Sequence, residues 1–413
     1  MPTKYKEIEE PDVPVPVEHL IVGTRLPCTI FCIDDGTTRP LFNRDMLFTG
    51  ISLNMLKEKG ITEVYIYMKD TPLFEQYLSK NKTLRERRDT DSSAVFKEYA
   101  FYKEQYHQID STLIVPGTKI HFSLSMLDKF SFTPLIEASP DAPAEVDERI
   151  ATVMGDMVIK KSDIPLYYEY LNALWQYTDS LDMDRQKVKA VALKETAKII
   201  VKDLIDDPRS GEKLKKIEPV VSGMIDSIMK NKDTIYNLLS LKGYDYYTYT
   251  HSVNVAALAI SLGIAIGLKR ADVERLGIGA MLHDIGKSVI SHEILHKQGK
   301  LDDREYRIIQ SHVIEGERIL RAHKEFPPEA FSAVLQHHEK LSGRGYPFRL
   351  SGKEITPFGR ITAIADCYDA LTTRRPYKPA LTPFYALSVI AKETGNYDPD
   401  FLKHFIKILG KIK

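Results

Sequence analysis

The stretch VAALAISLGIAIGL, residues 255–268, is the longest apolar run in the chain and the feature that most limits its fold. Its 14 residues fall short of the roughly 20 a helix needs to cross a bilayer. A helix apolar on every side must then be enclosed by other elements. It is predicted to be the buried helix of an all-α region, and no membrane span is expected. The start MPTKYKEIEEPDVP has no apolar stretch that could serve as a secretory signal. Three cysteines (Cys28, Cys32, Cys367) in 413 residues make no disulfide framework. A cytoplasmic protein is expected.

The length suits two or three domains, and 43% apolar with 28% charged residues is ordinary globular composition. The 57 basic residues cancel the 57 acidic ones, but not evenly along the chain. Residues 241–413 carry 25 Lys+Arg against 19 Asp+Glu, a net of +6, so the first 240 carry 32 against 38, a net of −6. Nothing here points to a nucleic-acid polymer as partner. The basic back part is where an anionic ligand should be sought.

The front part repeats itself faintly. VYIYMKDTPLFEQYL (64–78) lies over MVIKKSDIPLYYEYL (157–171), with Asp70, Pro72, Leu73, Tyr77 and Leu78 matching Asp163, Pro165, Leu166, Tyr170 and Leu171 at an offset of 93. IVGTRLP (21–27) lies over IVPGTKI (114–120), Gly23 on Gly117, at an offset of 94. Two matches at nearly the same offset suggest two copies of a small α+β module, over 1–80 and 111–172. Chance similarity of two strand–turn–helix pieces is the alternative. Strands are predicted in EVYIYM and TLIVPGTKIHFSL, with a short helix after each D-x-P. Residues 81–110 read as a charged helical connector. Cys28 and Cys32 form a C-x3-C that the second copy lacks, which favours packing over metal or redox roles. Residues 173–240 show amphipathic helical spacing and suit a linker or dimerisation region, ahead of a helical domain over 241–413.

The histidines are concentrated. An even spread of 12 would put about 2.6 in a window of 88 residues, yet 251–338 holds eight: His251, His283, His292, His296, His312, His323, His337 and His338. Neutral imidazole is a common ligand for Fe, Mn and Zn, so a metal site is indicated. MLHDIGK pairs His283 with Asp284, and LQHHEK pairs His337 with His338. Adjacent helical side chains diverge by about 100°, so such pairs converge only where a helix ends, as Gly286 suggests. Asp366, among Ile361, Ile364 and Ala365, would be costly to bury unless paired or metal-bound. Spacing alone does not show that these residues meet. Unrelated polar residues on several helices would look similar.

With these motifs in order, the back part resembles an HD-GYP domain, the branch of the HD phosphohydrolases that hydrolyses the bacterial second messenger cyclic di-GMP. The resemblance runs from about 241 to 400 and is carried by YDYYTYTHSVNVAALA, HDIGK, QHHEKLSGRGYP and ITAIADCYDALTTRRPYK. It implies an all-α metal-dependent phosphodiesterase domain behind an α+β front region. It also implies two divalent ions, Fe or Mn by ligand type, with Zn or Ni as substitutes. One ion would be held by His251, His283, Asp284 and Asp366, the other by Asp284, His312, His337 and His338. A bridging hydroxide would cut cyclic di-GMP to linear pGpG, with GMP as a further product. Lys287, Arg375 and Lys378 match phosphate-binding positions, and Lys287 is also a catalytic candidate beside Asp369 and Asp245, of which the two aspartates would orient the nucleophile or relay a proton. Gly343, Gly345, Tyr346 and Pro347 would shape the loop. Arg349, Lys353 and Arg360 are expected to be solvated. A homodimer is expected, and a diguanylate cyclase or adaptor protein is a candidate partner.

Three positions depart from the family pattern. Tyr247 stands where some members carry a glutamate for a third metal, Ser342 where an aspartate is usual, and Val313 where proline is common. None removes a ligand. Alternatives from other classes are a receptor that binds the dinucleotide without cutting it, and a hydrolase of a different cyclic dinucleotide. The front region, without a catalytic constellation, is read as regulatory.

Overall fold

The computed structural model describes residues 11–34, 37–81, 105–128, 131–148, 150, 156–176, 183–239, 247–295, 297, 299–373 and 380–410. The chain divides into two compact units, Met1–Glu169 and Tyr170–Lys413.

In the first unit, β1 (Val13–Pro16), β2 (Thr24–Arg25), β3 (Ile30–Asp34), β4 (Thr37–Phe42) and β5 (Leu47–Phe48) precede α1 (Gly50–Glu58), β6 (Glu63–Ile66) and α2 (Thr71–Lys80). Then come β7 (Tyr106–Gln108), β8 (Lys119–Ile120), β9 (Leu124–Asp128), β10 (Ser131–Ile136), β11 (Ala144–Glu145), β12 (Asp156–Lys160) and α3 (Ile164–Gln176). One antiparallel sheet has the order β1-β6-β3-β4 and the other β7-β12-β9-β10, with the short pairs β2-β5 and β8-β11 beside them. Each strand takes the same place in its own sheet. Alternation explains the burial: Val64 and Ile66 point into the core while Glu63 and Tyr65 turn away. The matched glycines do the same work in both sheets. Gly23 and Gly117 adopt φ +85° and +79°, and their N–H groups donate to Phe48 and Val146 carbonyls. The connector expected over 81–110 lies largely outside the described residues, and its last part, Tyr106–Gln108, is strand rather than helix.

The second unit is helical. It contains α4 (Met183–Asp206), α5 (Gly211–Lys215), α6 (Ile217–Lys230), α7 (Thr234–Leu239), α8 (Tyr247–Ala265), α9 (Arg270–Met281), α10 (His292–Leu295), α11 (Asp303–Gln310), α12 (His312–Arg321), α13 (Phe331–Gln336), α14 (Pro357–Thr372), α15 (Pro383–Lys392) and α16 (Pro399–Leu409). As the apolar run requires, α8 is buried continuously from Thr250 to Gly263, enclosed by α4, α9, α14 and their neighbours. It stops before the run does, because Gly267 turns left-handed (φ +83°) and returns its N–H to Ile264. The helices α4, α6 and α7, in the segment read as a linker or dimerisation region, pack onto α8 and α9 within this same unit. Among the described residues no helix is long and apolar enough to cross a membrane.

Candidate metal centre

Helix ends bring the ligand-type side chains together. His283 and Asp284 follow the last residue of α9, His337 and His338 follow the end of α13, and His312 opens α12. His251 projects from the second turn of α8, and Asp366 from the middle of α14. Once the chain leaves the helix, adjacent side chains need not diverge by a helical step, and both members of each pair face one point. Gly286 makes the approach possible. A Cβ there would collide with the His312 carbonyl and the Gly316 nitrogen, so the turn Ile285–Val289 lies directly against α12.

Two clusters of ligand atoms result: Asp284, His312, His337 and His338 in one, and His251, His283 and Asp366 in the other. Asp284 faces both. Its Oδ2 lies 3.4 Å from His283 Nε2 and 3.7 Å from His251 Nε2, while Oδ1 lies 3.3 Å from His312 Nε2 and 4.0 Å from His337 Nε2. Asp366 reaches His251 Nε2 at 3.1 Å with one oxygen and His338 Nδ1 at 3.8 Å with the other.

The hydrogen bonds behind the rings decide which nitrogens look inward. Nδ1 of His283, His312 and His337 donates to the carbonyl three residues back, those of Ala280, Ile309 and Val334, at 2.6–2.7 Å. A carbonyl can only accept, so each Nδ1 carries the proton and each Nε2 presents its lone pair to the centre. His312 Nε2 and His337 Nε2 then stand 3.2 Å apart as two lone pairs. Buried His283 Nε2 and Asp284 Oδ1 have no protein hydrogen-bond partner. A dense set of inward lone pairs around a carboxylate oxygen that no donor reaches is what a divalent cation completes, so the residues fit a metal centre.

The electrostatics agree. Burial pushes His312 down, His337 far down and His338 to about 3, leaving neutral imidazoles ready to ligate. Burial alone would raise the carboxyls of Asp284 and Asp366. Lys287 and His283 beside Asp284, and the His251 hydrogen bond to Asp366, outweigh it and hold both well below the usual range. Burial opposes a charge on His251, but hydrogen bonds to Asp366 and Asp369 lift it to about 9. Carboxylates that favour a proton there also favour a cation.

The other expected residues are placed unevenly. Lys287 donates to Asp284 Oδ2 at 2.6 Å, so in this state it neutralises the shared carboxylate. Asp369, expected to act on the nucleophile or a proton, stands behind the centre instead. It is buried and accepts from His251 Nδ1 (2.7 Å), Asn254 Nδ2 (2.8 Å) and Thr373 Oγ1 (3.2 Å). Being three residues after Asp366 on α14 turns it to the back of His251. Asp245, Arg375 and Lys378 lie outside the described residues. Tyr346 stacks on His338 with centroids 4.5 Å apart, and Gly345 packs against the backbone of His338–Lys340 too closely for any Cβ. Arg360 is not solvated: it bonds to Asp398 at 3.0 Å. Of the remaining histidines, His323 donates to the Pro208 carbonyl, His292 is exposed, and His296 is outside the described residues.

Two residues escaped the sequence reading. Asn254 sits one turn after His251, a spacing that could have shown it. Glu339, next to His338, is 1% exposed and accepts from Phe348 N at 2.7 Å and Leu350 N at 3.0 Å, tying the 343–350 loop to the histidine pair. No local pattern announces that bond.

An HD domain family model matches residues 233–401. Cyclic di-GMP phosphodiesterase PA4108 of Pseudomonas aeruginosa is 34% identical over 225 residues, 54% of each chain. The C-terminal unit thus contains an HD domain, and its similarity to cyclic di-GMP phosphodiesterases supports the HD-GYP type. A second relative, the cyclic di-GMP phosphodiesterase of Thermotoga maritima, is 35% identical over 43% of this chain and 49% of its own. The 3'3'-cGAMP-specific phosphodiesterase 2 of Vibrio cholerae is 40% identical over 38% of this chain and 31% of its own. The chain thus spans about half the length, or less, of these curated relatives. In fold, it is similar to Bd1817, a HDG"Y"P protein from Bdellovibrio bacteriovorus, with a TM-score of 0.57 at 18% identity over 74% of this chain and 99% of that one.

Proposed function

We propose that the HD-GYP unit is a metal-dependent phosphodiesterase that hydrolyses cyclic di-GMP to linear pGpG, and onward to GMP. The observation that carries this reading is Asp284, whose two oxygens face two different groups of ligand atoms. His251, His283, Asp284 and Asp366 would hold one ion, and Asp284, His312, His337 and His338 the other. Iron or manganese suits a donor set so rich in imidazole. Bound there, such a pair would supply Lewis acidity toward the phosphodiester and activate water near neutral pH.

The chain's own residues do the rest. The Ala280, Ile309 and Val334 carbonyls hold three rings in the tautomer that keeps Nε2 unprotonated, and Asp369 orients His251 through Nδ1, leaving its Nε2 to face Asp366 and Asp284. Lys287, 2.6 Å from Asp284 Oδ2 at the edge of the centre, is proposed as a phosphate anchor. Arg375 and Lys378 are proposed as further phosphate anchors. Asp245 is proposed to orient the nucleophile.

The test is turnover of cyclic di-GMP by protein loaded with Mn or Fe, with metal content and products measured together. Intact cyclic di-GMP in the presence of two bound metals per chain would leave the receptor reading. Hydrolysis of a different cyclic dinucleotide is the second reading, since similarly identical relatives carry the name of cGAMP-specific enzymes.

The first unit is proposed to be regulatory and to be built from two copies of one module. The repeated strand order and the paired glycines support duplication. Among its described residues no group of three ligand-type side chains comes together. Dimerisation, through α4–α7, and docking of a cyclase or adaptor protein are proposed with it. Removing 1–169 should alter activity or oligomeric state.

A further inference from the structure

Beside the metal centre lies a second feature that the proposed chemistry does not use. Helix α11, the start of α12 and the 343–349 loop enclose a cavity of about 670 Å³, within the rough 300–1,000 Å³ range of small-molecule sites. Tyr306, Arg307, Arg344, Tyr346 and Arg349 line it. Arg270, Arg321 and Arg360 elsewhere in the unit are paired to carboxylates. Among the described residues Arg307, Arg344 and Arg349 have no such partner.

This arrangement is built rather than incidental. Arg349 holds a left-handed backbone (φ +59°), unfavourable for a side chain with a Cβ. The buried Glu339 carboxylate accepts the N–H groups on either side of it, those of Phe348 and Leu350. The cavity also shares a wall with the metal centre. Tyr346 lines it and lies against His338 at an interplanar angle of 26°, and Ser311, also on its lining, precedes His312.

We propose that this cavity receives one guanine base of a cyclic dinucleotide whose phosphodiester lies at the metal centre. The proposal rests on the phosphodiesterase reading above and adds the source of its base preference. Guanine presents two acceptors, O6 and N7, on one edge, which a guanidinium fork matches. Adenine puts a donor where O6 would be. Tyr306, half exposed and 6.5 Å from Tyr346 centre to centre, offers a face for stacking.

The experiment compares kcat/KM for cyclic di-GMP and cyclic di-AMP, which share the same phosphates and sugars. It uses the full chain loaded with Mn2+, as wild type, Arg307→Ala, Arg344→Ala, Arg349→Ala and Arg344→Lys. Wild type should favour the guanine substrate by about tenfold or more. At least one alanine variant should shrink that ratio severalfold, and lysine, with the charge but not the fork, should not restore it at position 344. Circular dichroism and metal content on each variant reveal any that fail to fold, for which the glutamine substitution stands in. An unchanged ratio in all variants overturns the proposal, as does a wild type without base preference. A wild type that cuts bis(4-nitrophenyl) phosphate but neither dinucleotide overturns the cyclic-dinucleotide reading on which the proposal rests, a separate outcome seen without any variant.

Discussion

Asp369 Oδ2 lies 2.7 Å from His251 Nδ1, and Asn254 fixes the other oxygen of the same carboxylate at 2.8 Å. Asp366 and Asp369 on α14, with Asn254 on α8 steadying Asp369, thus hold the His251 ring in place. Partners of this kind behind a ligating histidine are worth about 10- to 100-fold in metal affinity. Asp369→Asn should weaken binding by that order in a chelator competition, with Asp369→Glu less affected. Wild-type affinity in the asparagine variant would refute the positioning role.

Gly286 offers a purely steric test. A Cβ there meets backbone of α12, which cannot move aside as a flexible side chain could. Gly286→Ala should destabilise the unit by about 1–3 kcal/mol, the usual cost of overpacking, and should loosen metal binding because the turn carries Asp284. Urea unfolding of the metal-free protein separates the first effect from the second.

Glu339 is expected to matter through the loop it holds. Glu339→Ala leaves two backbone N–H groups without their carboxylate, at a cost of about 1–3 kcal/mol for each one that stays buried. Amide exchange at Phe348 and Leu350 should speed up in the variant. Exchange at wild-type rates would show that the bonds contribute nothing.

Metal should stabilise the folded unit, because the inward lone pairs exist as a set only when it is folded. Binding at 100 times Kd adds about 2.7 kcal/mol. Chelation should lower the midpoint of thermal unfolding, and Mn2+ should restore it. A midpoint indifferent to both would count against the centre.

Cys28 tests the reading of the front cysteines as packing residues. It is 1% exposed, and burial pushes its thiol up to about 12, so at pH 8 it stays protonated as well as shielded. Alkylation of Cys28 in the native protein should be at least about 100-fold slower than in urea. Prompt native labelling would show that the core around it is open.

Much of the centre could be read from the chain because helix ends leave local marks. Gly286 after His283–Asp284, and the doubled histidine after α13, both announce a place where neighbouring side chains converge. The roles of Asp369 and Arg349 were not legible. The first depends on how α14 is rotated against α8, and the second on a carboxylate ten residues earlier in the chain. In the first unit, the glycines at positive φ and the D-x-P helix starts were legible because both are set locally, whereas the strand order β1-β6-β3-β4 depends on pairings that no local pattern gives.

The amino-acid order by itself determined the buried α8, the helix ends that carry the ligand pairs, and the kind of donor each supplies. All of these follow from short-range backbone geometry and side-chain chemistry. Only the tertiary structure decided that Asp284 divides its two oxygens between separate groups of histidines, that Asp369 works from behind, and that three arginines without partners share a cavity with Tyr346. Those relations depend on the packing of helices far apart in the chain, where the fit of whole surfaces, including a glycine too close to tolerate a methyl group, sets distances that no local pattern encodes.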